Sequence, residues 1–545
     1  MHHLKPLFES RKPLMCWHNG QFDTSFLRRI GIPARIDHDT ILLHYCLNEH
    51  EGDHDLDTLS RRELGAPEYK SKIKKYVQKG DKGYESVPKD ELYPYLAKDC
   101  DYTLQLYHRF APLVGNDPDL RKLYYNLLLP HSRFLRRVQR NGLYLNMSYI
   151  KVLREELQAK SDGLTDKIVD MLQPHWDAEL YKKQTGAKTA GLTFLPTSNK
   201  QLAWMLFNRL RLVHRVRRKK ALCVDKHVLE SMRNLHPAIP KLLELRTTNK
   251  MKSTYVDGML KRRNNDGRVR SSFLLFGTKT GRLSSRNPNL QNIPRDSSIK
   301  AIFCAEPENV LIEADYKGAE LRVLAYLSDD DFLKGVFKEG RDLHDEVARF
   351  LFGENFTKEQ RVKAKNVNFG IAYGRTAYTI SQEYNVPLIE AQAMLEEWFS
   401  RAPGARKYLL QCDADAENGV VLTTPFGRKR RFGLISKENI KDLRNEARNF
   451  RIQSIASDLT LISARNMEKG LRELGAKIVN LVHDNIVVEV DDNTAKIKEV
   501  MKIMKDVMEE VPEYTLRTDV PFGVDFKVGS VWGKLKEVED QSYIT

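Results

Sequence analysis

Two aspartates in this chain stand where carboxylates could share metal ions. In NVLIEADYKGAELRVLAYLSDD the apolar run Val310-Leu311-Ile312 leads to Asp315, after which Leu321, Leu324, Ala325 and Leu327 fall at helical spacing. Asp315 therefore ends a strand that feeds a helix. In KIVNLVHDNIVVEV, β-branched runs flank His483-Asp484-Asn485. That pattern predicts a β-hairpin with Asp484 at its tip. A lone aspartate at a strand end is more often a cap or turn residue. A pair from different strands suits phosphoryl transfer, in which two divalent ions about 4 Å apart need bridging carboxylates. One ion lowers the pKa of an attacking hydroxyl and the other neutralises a triphosphate leaving group. Magnesium, held by one or two carboxylates plus phosphate oxygens and water, fits best.

Between the aspartates lies EQRVKAKNVNFGIAYGRTAYTIS, with Arg361, Lys365, Phe369 and Tyr373 at i, i+4, i+8, i+12. These four share one helical stripe about 18 Å long, at 1.5 Å per residue. One end is cationic and the other aromatic, the polarity of a nucleoside triphosphate. An amphipathic helix with aromatics inward and charges outward would show the same spacing. Gly370 and Gly374 tilt the reading toward a ligand, because glycine costs helix stability and makes sense where something approaches closely.

The elements that must position these groups need several cores. At 545 residues, 41% of them apolar, the chain has material for three or four units of roughly 150 residues. A formal net charge of +16 favours polyanionic partners. The six cysteines are scattered without a C-x-x-C pair, which argues against a zinc site or disulfide framework and for a reducing compartment. The polar start MHHLKPLFESRK is no signal peptide, and no apolar run approaches the roughly 20 residues of a membrane span. These features predict a soluble cytoplasmic protein, with phage, bacterial and organellar sources all open. The segment APLVGNDPD at 111–119 reads as a linker, after a helical stretch from Glu91 to Phe110. Basic residues crowd 209–220, and from about 266 strand-like runs alternate with long helices. No repeat or low-complexity tract is present.

The three chemical segments resemble the three polymerase motifs of family A DNA polymerases. DYKGAELR resembles D-Y-S-x-x-E-L-R, RVKAKNVNFGIAYG resembles R-x-x-x-K-x-x-N-F-G-x-x-Y-G, and VHDN resembles V-H-D-E. TKTGRLSSRNPNLQNIP, DLHDEVARFLFG, FLRRVQRNGLYLN, TSNKQL and KMKSTY resemble further segments of the family, so the likeness covers nearly the whole chain. It implies a right-hand polymerase, an α+β and α/β multidomain architecture. Thumb falls at about 146–265, palm at about 266–330 and 440–545, and fingers at about 331–439, all within a polymerase domain at 116–545.

The resemblance assigns roles. Asp315 and Asp484 would hold two Mg²⁺ ions, which Mn²⁺ can replace. Arg361, Lys365 and His344 would bind the triphosphate, with Lys365 protonating the departing pyrophosphate. Phe369 and Tyr373 would pack on sugar and base. Glu320 would collide with a 2′-hydroxyl and so exclude ribonucleotides. Arg282, Gln291, Gln453 and His483 would meet the duplex, the first three in the minor groove, where acceptors are alike for every base pair. The expected partners are template–primer DNA and dNTPs, with the protein a monomer away from membranes. Two departures stand out. Asn485 replaces the family's usual Glu, which predicts weaker metal binding rather than inactivity. Lys317-Gly318 replaces Ser-Gln, which predicts altered contacts to the primer end.

The front domain, 1–115, resembles a DEDD proofreading exonuclease. WHNGQFDTSFL matches its second motif through Asp23, and YLAKDCDYTLQLY its third through Tyr95 and Asp99. The first-strand Asp-x-Glu is absent from this sequence. Asp37 and Asp39 belong to a later part of the domain and are no substitutes. Two acids in place of four predict no 3′–5′ exonuclease activity from this chain alone, the remnant acting as a platform, unless a separate polypeptide supplies the missing segment. A single-subunit RNA polymerase is the rival within the superfamily, opposed by Glu320 and the N-F-G wording. A non-catalytic DNA-binding subunit is the rival from another class, and it would have no use for Asp315, Asp484, Arg361 and Lys365 together.

Overall fold

The β-branched runs fold as their alternation predicts. In the computed structural model, which describes residues 5–10, 12–50, 52, 54–77, 83–213, 223–294, 296–372, 374–384 and 386–538, they form one five-stranded antiparallel sheet. Its strands are β1 (Asn309–Tyr316), β2 (Lys477–Val482), β3 (Asn485–Asp491), β4 (Val524–Gly529) and β5 (Lys536–Val538), in spatial order β2-β3-β1-β4-β5. Side chains alternate across a strand. On one face Ile312, Ala314, Tyr316, Ile486, Val488 and Phe526 enter the main core. That face is covered by the helices Ile440–Glu473 and Thr494–Leu516, which bring Leu459, Ala464, Met504 and Met508 into the same core. The opposite face packs Leu311, Val479 and Val487 against Phe303 and Trp532, but only over part of its length. Toward the Asp315 end it opens into a cleft.

The front of the chain pairs two short parallel strands, Cys16–Trp17 with His38–Asp39, and packs the helices Gly20–Arg29, Thr40–Leu47 and Lys89–Asn116 around them. The reading of 111–119 as a linker is corrected here. The long helix runs on to Asn116 with Pro112 inside it, and Pro118–Lys122 resumes helix at once, N-capped by Asp117. Packing overrides the local composition, because Phe110 and Val114 are both buried. The core is also continuous across this point, running from Ile36, Leu43 and Phe110 through Tyr124 and Leu128 to Ile312 and Leu459. A separate core in the helical region, around Ile168, Leu172, Phe194, Trp204 and Ile239, joins the helices Met147–Leu172 and Ala238–Lys250. Among the described residues no helix is long and apolar enough to cross a membrane.

Candidate active site

Asp315 lies one residue before the end of β1. The chain then turns through Gly318, whose φ of +58° sets it in the left-handed region at the start of helix Ala319–Ser328. Tyr316 points to the opposite face, where its hydroxyl meets Ser463 Oγ at 2.8 Å and donates to the Met508 carbonyl at 2.7 Å. The strand end is thereby pinned. Antiparallel register sets Asn485 directly across from Asp315 on one side and Asp525 on the other. Directly opposed residues share a face, and so do residues two apart, so Glu313 joins them.

The hairpin forms as predicted, β2 and β3 being joined at His483-Asp484 with His483 at φ +55°. Its tip is held from both sides. The Gln291 amide donates to the Leu481 carbonyl, and its Oε1 accepts from the His483 N–H at 3.4 Å. The Tyr316 N–H donates to the Asp484 carbonyl at 3.4 Å, tying the tip to β1.

The two carboxyls, brought together, resist ionisation. Burial, then Glu320 and Asp315, push Asp484 up to about 7, with Arg282 opposing. Asp315 is reached by solvent at the cleft floor, yet protein surrounds it elsewhere. That burial, with Glu313 and Asp525, raises it to about 6. Groups of like charge held this close favour a bound cation or a proton. Arg282 already pairs with Glu320, which is buried.

The predicted cationic helix spans Lys358–Ala372. Beside it helix Leu343–Phe352 begins with Asp342 as N-cap, accepting from the His344 N–H at 2.6 Å. His344 Nδ1 meets Asn368 Nδ2 at 2.9 Å, and the Asn368 carbonyl oxygen accepts from Trp398 Nε1 at 2.7 Å. Burial, together with the Arg361 and Lys365 charges, depresses His344 to about 4 against the pull of Asp342. His344, Arg361 and Lys365 therefore stand together. Lys365 is exposed, whereas Arg361 is already engaged by Asp342 at 2.7 Å and by Asp345. The Phe369 side chain and Tyr373 lie outside the described residues.

Residues 167–534 match the family model described as DNA polymerase family A, and residues 1–114 match one described as 3′-5′ exonuclease. The chain belongs to DNA polymerase family A. It is 31% identical to DNA polymerase I of Chloroflexus aurantiacus, over 98% of this chain and 56% of that protein. It is 34% identical to the thermostable DNA polymerase I of Thermus aquaticus, over 78% of this chain and 50% of that one. The chain thus spans about half the length of the curated relatives it matches. A solved structure, the POL domain of Pol1 from M. smegmatis in complex with DNA primer-template and dNTP, superposes with a TM-score of 0.77 at 25% identity. That match covers 98% of this chain and 88% of the other.

Members of family A are metal-dependent, and the donors present here fit a divalent cation. Asp315 and Asp484 offer hard oxygens at a site where unneutralised charge is disfavoured. Among the described residues no three or more His, Cys, Asp or Glu converge into a closed cage.

Some residues do other work than expected. Gln291 is buried and its amide is spent on the hairpin, so in this conformation it braces Asp484 rather than facing a duplex. Gly374 needs no ligand to explain it. Its φ is +70°, and a Cβ there would lie 2.8 Å from Arg448 and Asn445. Gly370 packs on Arg375, where a Cβ would sit 3.2 Å from its side chain. Gln453 lines a groove of about 310 Å³ with Thr278, Lys279, Thr280 and Asn449, and His483 is exposed at the hairpin tip. Asp525 and Asn368 escaped the sequence reading, since only sheet register and helix packing bring them to the site. Lys317, the departure in the first motif, pairs with Asp525 at 3.0 Å.

In the front domain a cavity of about 930 Å³ is lined by Asp23 and Asp99, with His18, Asp55 and Lys70. Asp99 accepts from the Tyr69 hydroxyl at 2.6 Å, and Tyr95 is close enough for Asp99 to raise its pKa. Asp55 caps a helix by accepting from Thr58 N–H. Asp37 is held by Arg35 at 3.1 Å. Asp39 is buried, accepting from the N–H groups of Asn19, Gly20 and Ile41. Both serve the fold.

Proposed function

We propose that this chain is a template-directed DNA polymerase that adds dNTPs to a primer 3′-hydroxyl and releases pyrophosphate. One observation carries the reading: a strand end and a hairpin tip, about 170 residues apart in sequence, bring Asp315 close enough to Asp484 to raise its pKa, in a chain that also gathers His344, Arg361 and Lys365 into one cluster. In the reaction the primer 3′-oxygen bonds to the α-phosphorus as the bond to the β-phosphate oxygen breaks. Two Mg²⁺ ions, replaceable by Mn²⁺, would activate the hydroxyl and offset triphosphate charge when held by Asp315 and Asp484. Lys365, which is exposed, would give a proton to the departing pyrophosphate. Arg361 would exchange Asp342 and Asp345 for phosphate, a like-for-like swap of anions. His344, kept neutral by burial, would donate a hydrogen bond to a phosphate oxygen. Phe369 and Tyr373 would pack on sugar and base.

Glu320, fixed by Arg282, would stand against a 2′-hydroxyl and favour deoxynucleotides over ribonucleotides. The groove beside Gln453 and Lys279 is our candidate for the duplex, gripped chiefly through phosphates and so weakened by salt. Among the described residues lining the front cleft, Asp23 and Asp99 are the acids without capping duty, too few to hold two ions, so this polypeptide by itself is expected not to shorten a primer.

A labelled primer on a longer template, with magnesium, tests both readings. Extension with dNTPs and no shortening without them is expected. Shortening without dNTPs would overturn the reading of the front cleft. Absence of extension would favour a non-catalytic DNA-binding role, and equal use of ribonucleotides would favour an RNA polymerase.

A further inference from the structure

The front domain reaches into the reacting region through two buried side chains. Tyr45, at 3% exposure, donates its hydroxyl to the Thr278 carbonyl at 2.9 Å and lies 3.4 Å from Arg428 Nη1. Arg428 is itself locked into a buried pair with Asp458 on the long helix, with three contacts of 2.8 to 3.0 Å. Glu49, also at 3% exposure, takes the Arg431 N–H at 2.5 Å and the guanidinium groups of Arg431 at 2.7 Å and Arg430 at 3.3 Å.

The Tyr45 and Arg428 contacts converge on one short loop, residues 278–282, and those of Glu49 on the neighbouring segment 428–431. Gly281, at φ +76°, is packed so closely on Arg428 that a Cβ would lie 2.4 Å from the guanidinium. Ser454 Oγ donates to the Thr280 carbonyl at 2.5 Å, and Thr278 Oγ1 to the Arg282 carbonyl at 2.8 Å. The loop ends in Arg282, which pairs with Glu320 and lowers the proton affinity of Asp484. The path therefore runs from Tyr45 to Thr278, through the loop to Arg282, and on to Glu320 and Asp484. Glu49 holds the 428–431 segment that forms the other wall.

We infer that Tyr45 and Glu49 are positioning residues for nucleotide addition: the front domain clamps the loop that delivers Arg282 to Glu320. This rests on the polymerase reading above and adds to it a role for the front domain independent of any nuclease chemistry. Its signature is sugar selectivity. Loosening the loop frees Glu320, so discrimination should suffer beyond any change in overall rate.

The test uses the full chain with Tyr45→Phe, which removes only a hydroxyl, and Glu49→Gln as a second variant. One hydrogen bond of ordinary net worth corresponds to about two- to tenfold in rate. Both variants are expected to narrow the kcat/KM ratio of dNTP over rNTP by that factor while melting cooperatively. Tyr45→Phe should add nothing further in an Arg282→Ala background, because both act on one path. Limited trypsin digestion reads the loop directly, and cleavage after Lys279 should accelerate in Tyr45→Phe. Wild-type selectivity in folded variants, additivity with Arg282→Ala, or unchanged cleavage would each overturn the clamp. Failure of the wild-type protein to extend a primer would instead overturn the polymerase reading, and the digestion alone would then decide the clamp.

Discussion

Asp484→Asn should stabilise the metal-free protein at pH 8 while abolishing nucleotide addition. The carboxyl is pushed from an ordinary 3.8 up to about 7 by burial and by Glu320 and Asp315. An aspartate whose pKa is higher folded than unfolded binds its proton more tightly in the folded protein. Folding is thus favoured below about pH 4, and that advantage drains away as pH climbs toward 7. At about 1.4 kcal/mol per unit, a rise of about 3 units amounts to ~4 kcal/mol. Solvent in the cleft and the mutual influence of the two acids bring the figure nearer ~2 kcal/mol. Asparagine keeps the shape and carries no charge. Denaturation followed by intrinsic fluorescence in EDTA should show variant and wild type close together near pH 4 and separated by that amount at pH 8. Magnesium should close the gap at pH 8 by stabilising the wild type alone. A gap that fails to widen between pH 4 and pH 8, or a variant less stable at pH 8, would refute the account of this acid pair.

Three further outcomes are expected. Asn485→Glu adds a carboxylate directly across from Asp315, with Cβ atoms about 5 Å apart, where one unit charge acts on another by ~3 kcal/mol at an effective dielectric of about 20. The magnesium concentration for half-maximal extension should fall about tenfold once solvent is allowed for, and an unshifted titration would count against a metal at this spot. Phe369→Tyr adds a hydroxyl beside the sugar on which Phe369 is proposed to pack, so dideoxynucleotide incorporation should rise, and unchanged chain termination would count against that packing. Asp458→Ala strands Arg428 in the core and should cost ~3–5 kcal/mol. Thermal denaturation checks it, and a loss of under ~1 kcal/mol would mean the pair is dispensable.

What was legible in the sequence is what local chain chemistry decides. Asp315 at a strand end and Asp484 at a hairpin tip follow from β-branched runs broken by turn formers, and both stand where that reasoning put them. The co-location of His344 with Arg361 and Lys365 came from the resemblance to the family's motifs. Register is a different matter. Nothing within VDFKV announces that Asp525 will face Asp315, because the pairing joins segments about 210 residues apart. The engagement of Arg361 by Asp342 and Asp345, and the spending of Gln291 on the hairpin, are likewise choices among partners that only the folded chain makes available. The linker reading of 111–119 fails for the converse reason, since Gly, Pro and Asn mark loops only where no packed face compels a helix.

The same long-range pairing explains why a pair of mutually repelling acids can be built at all. Asp315 cannot withdraw, because Tyr316 is anchored to Ser463 and Met508 and β1 is bonded on both edges. Asp484 cannot withdraw either, because Gln291 grips Leu481 and His483 just before it and the Tyr316 N–H donates to its own carbonyl. The repulsion is therefore borne by the sheet and relieved only by something positive entering the cleft. Removing a brace should then act like removing a ligand, at a distance. Gln291→Ala leaves both carboxyls in place but releases the His483 side of the tip, and it should weaken magnesium dependence without abolishing binding of primer–template. Were Gln291→Ala to lose DNA affinity with its metal titration intact, the glutamine would be a duplex contact after all, and the bracing role would fall.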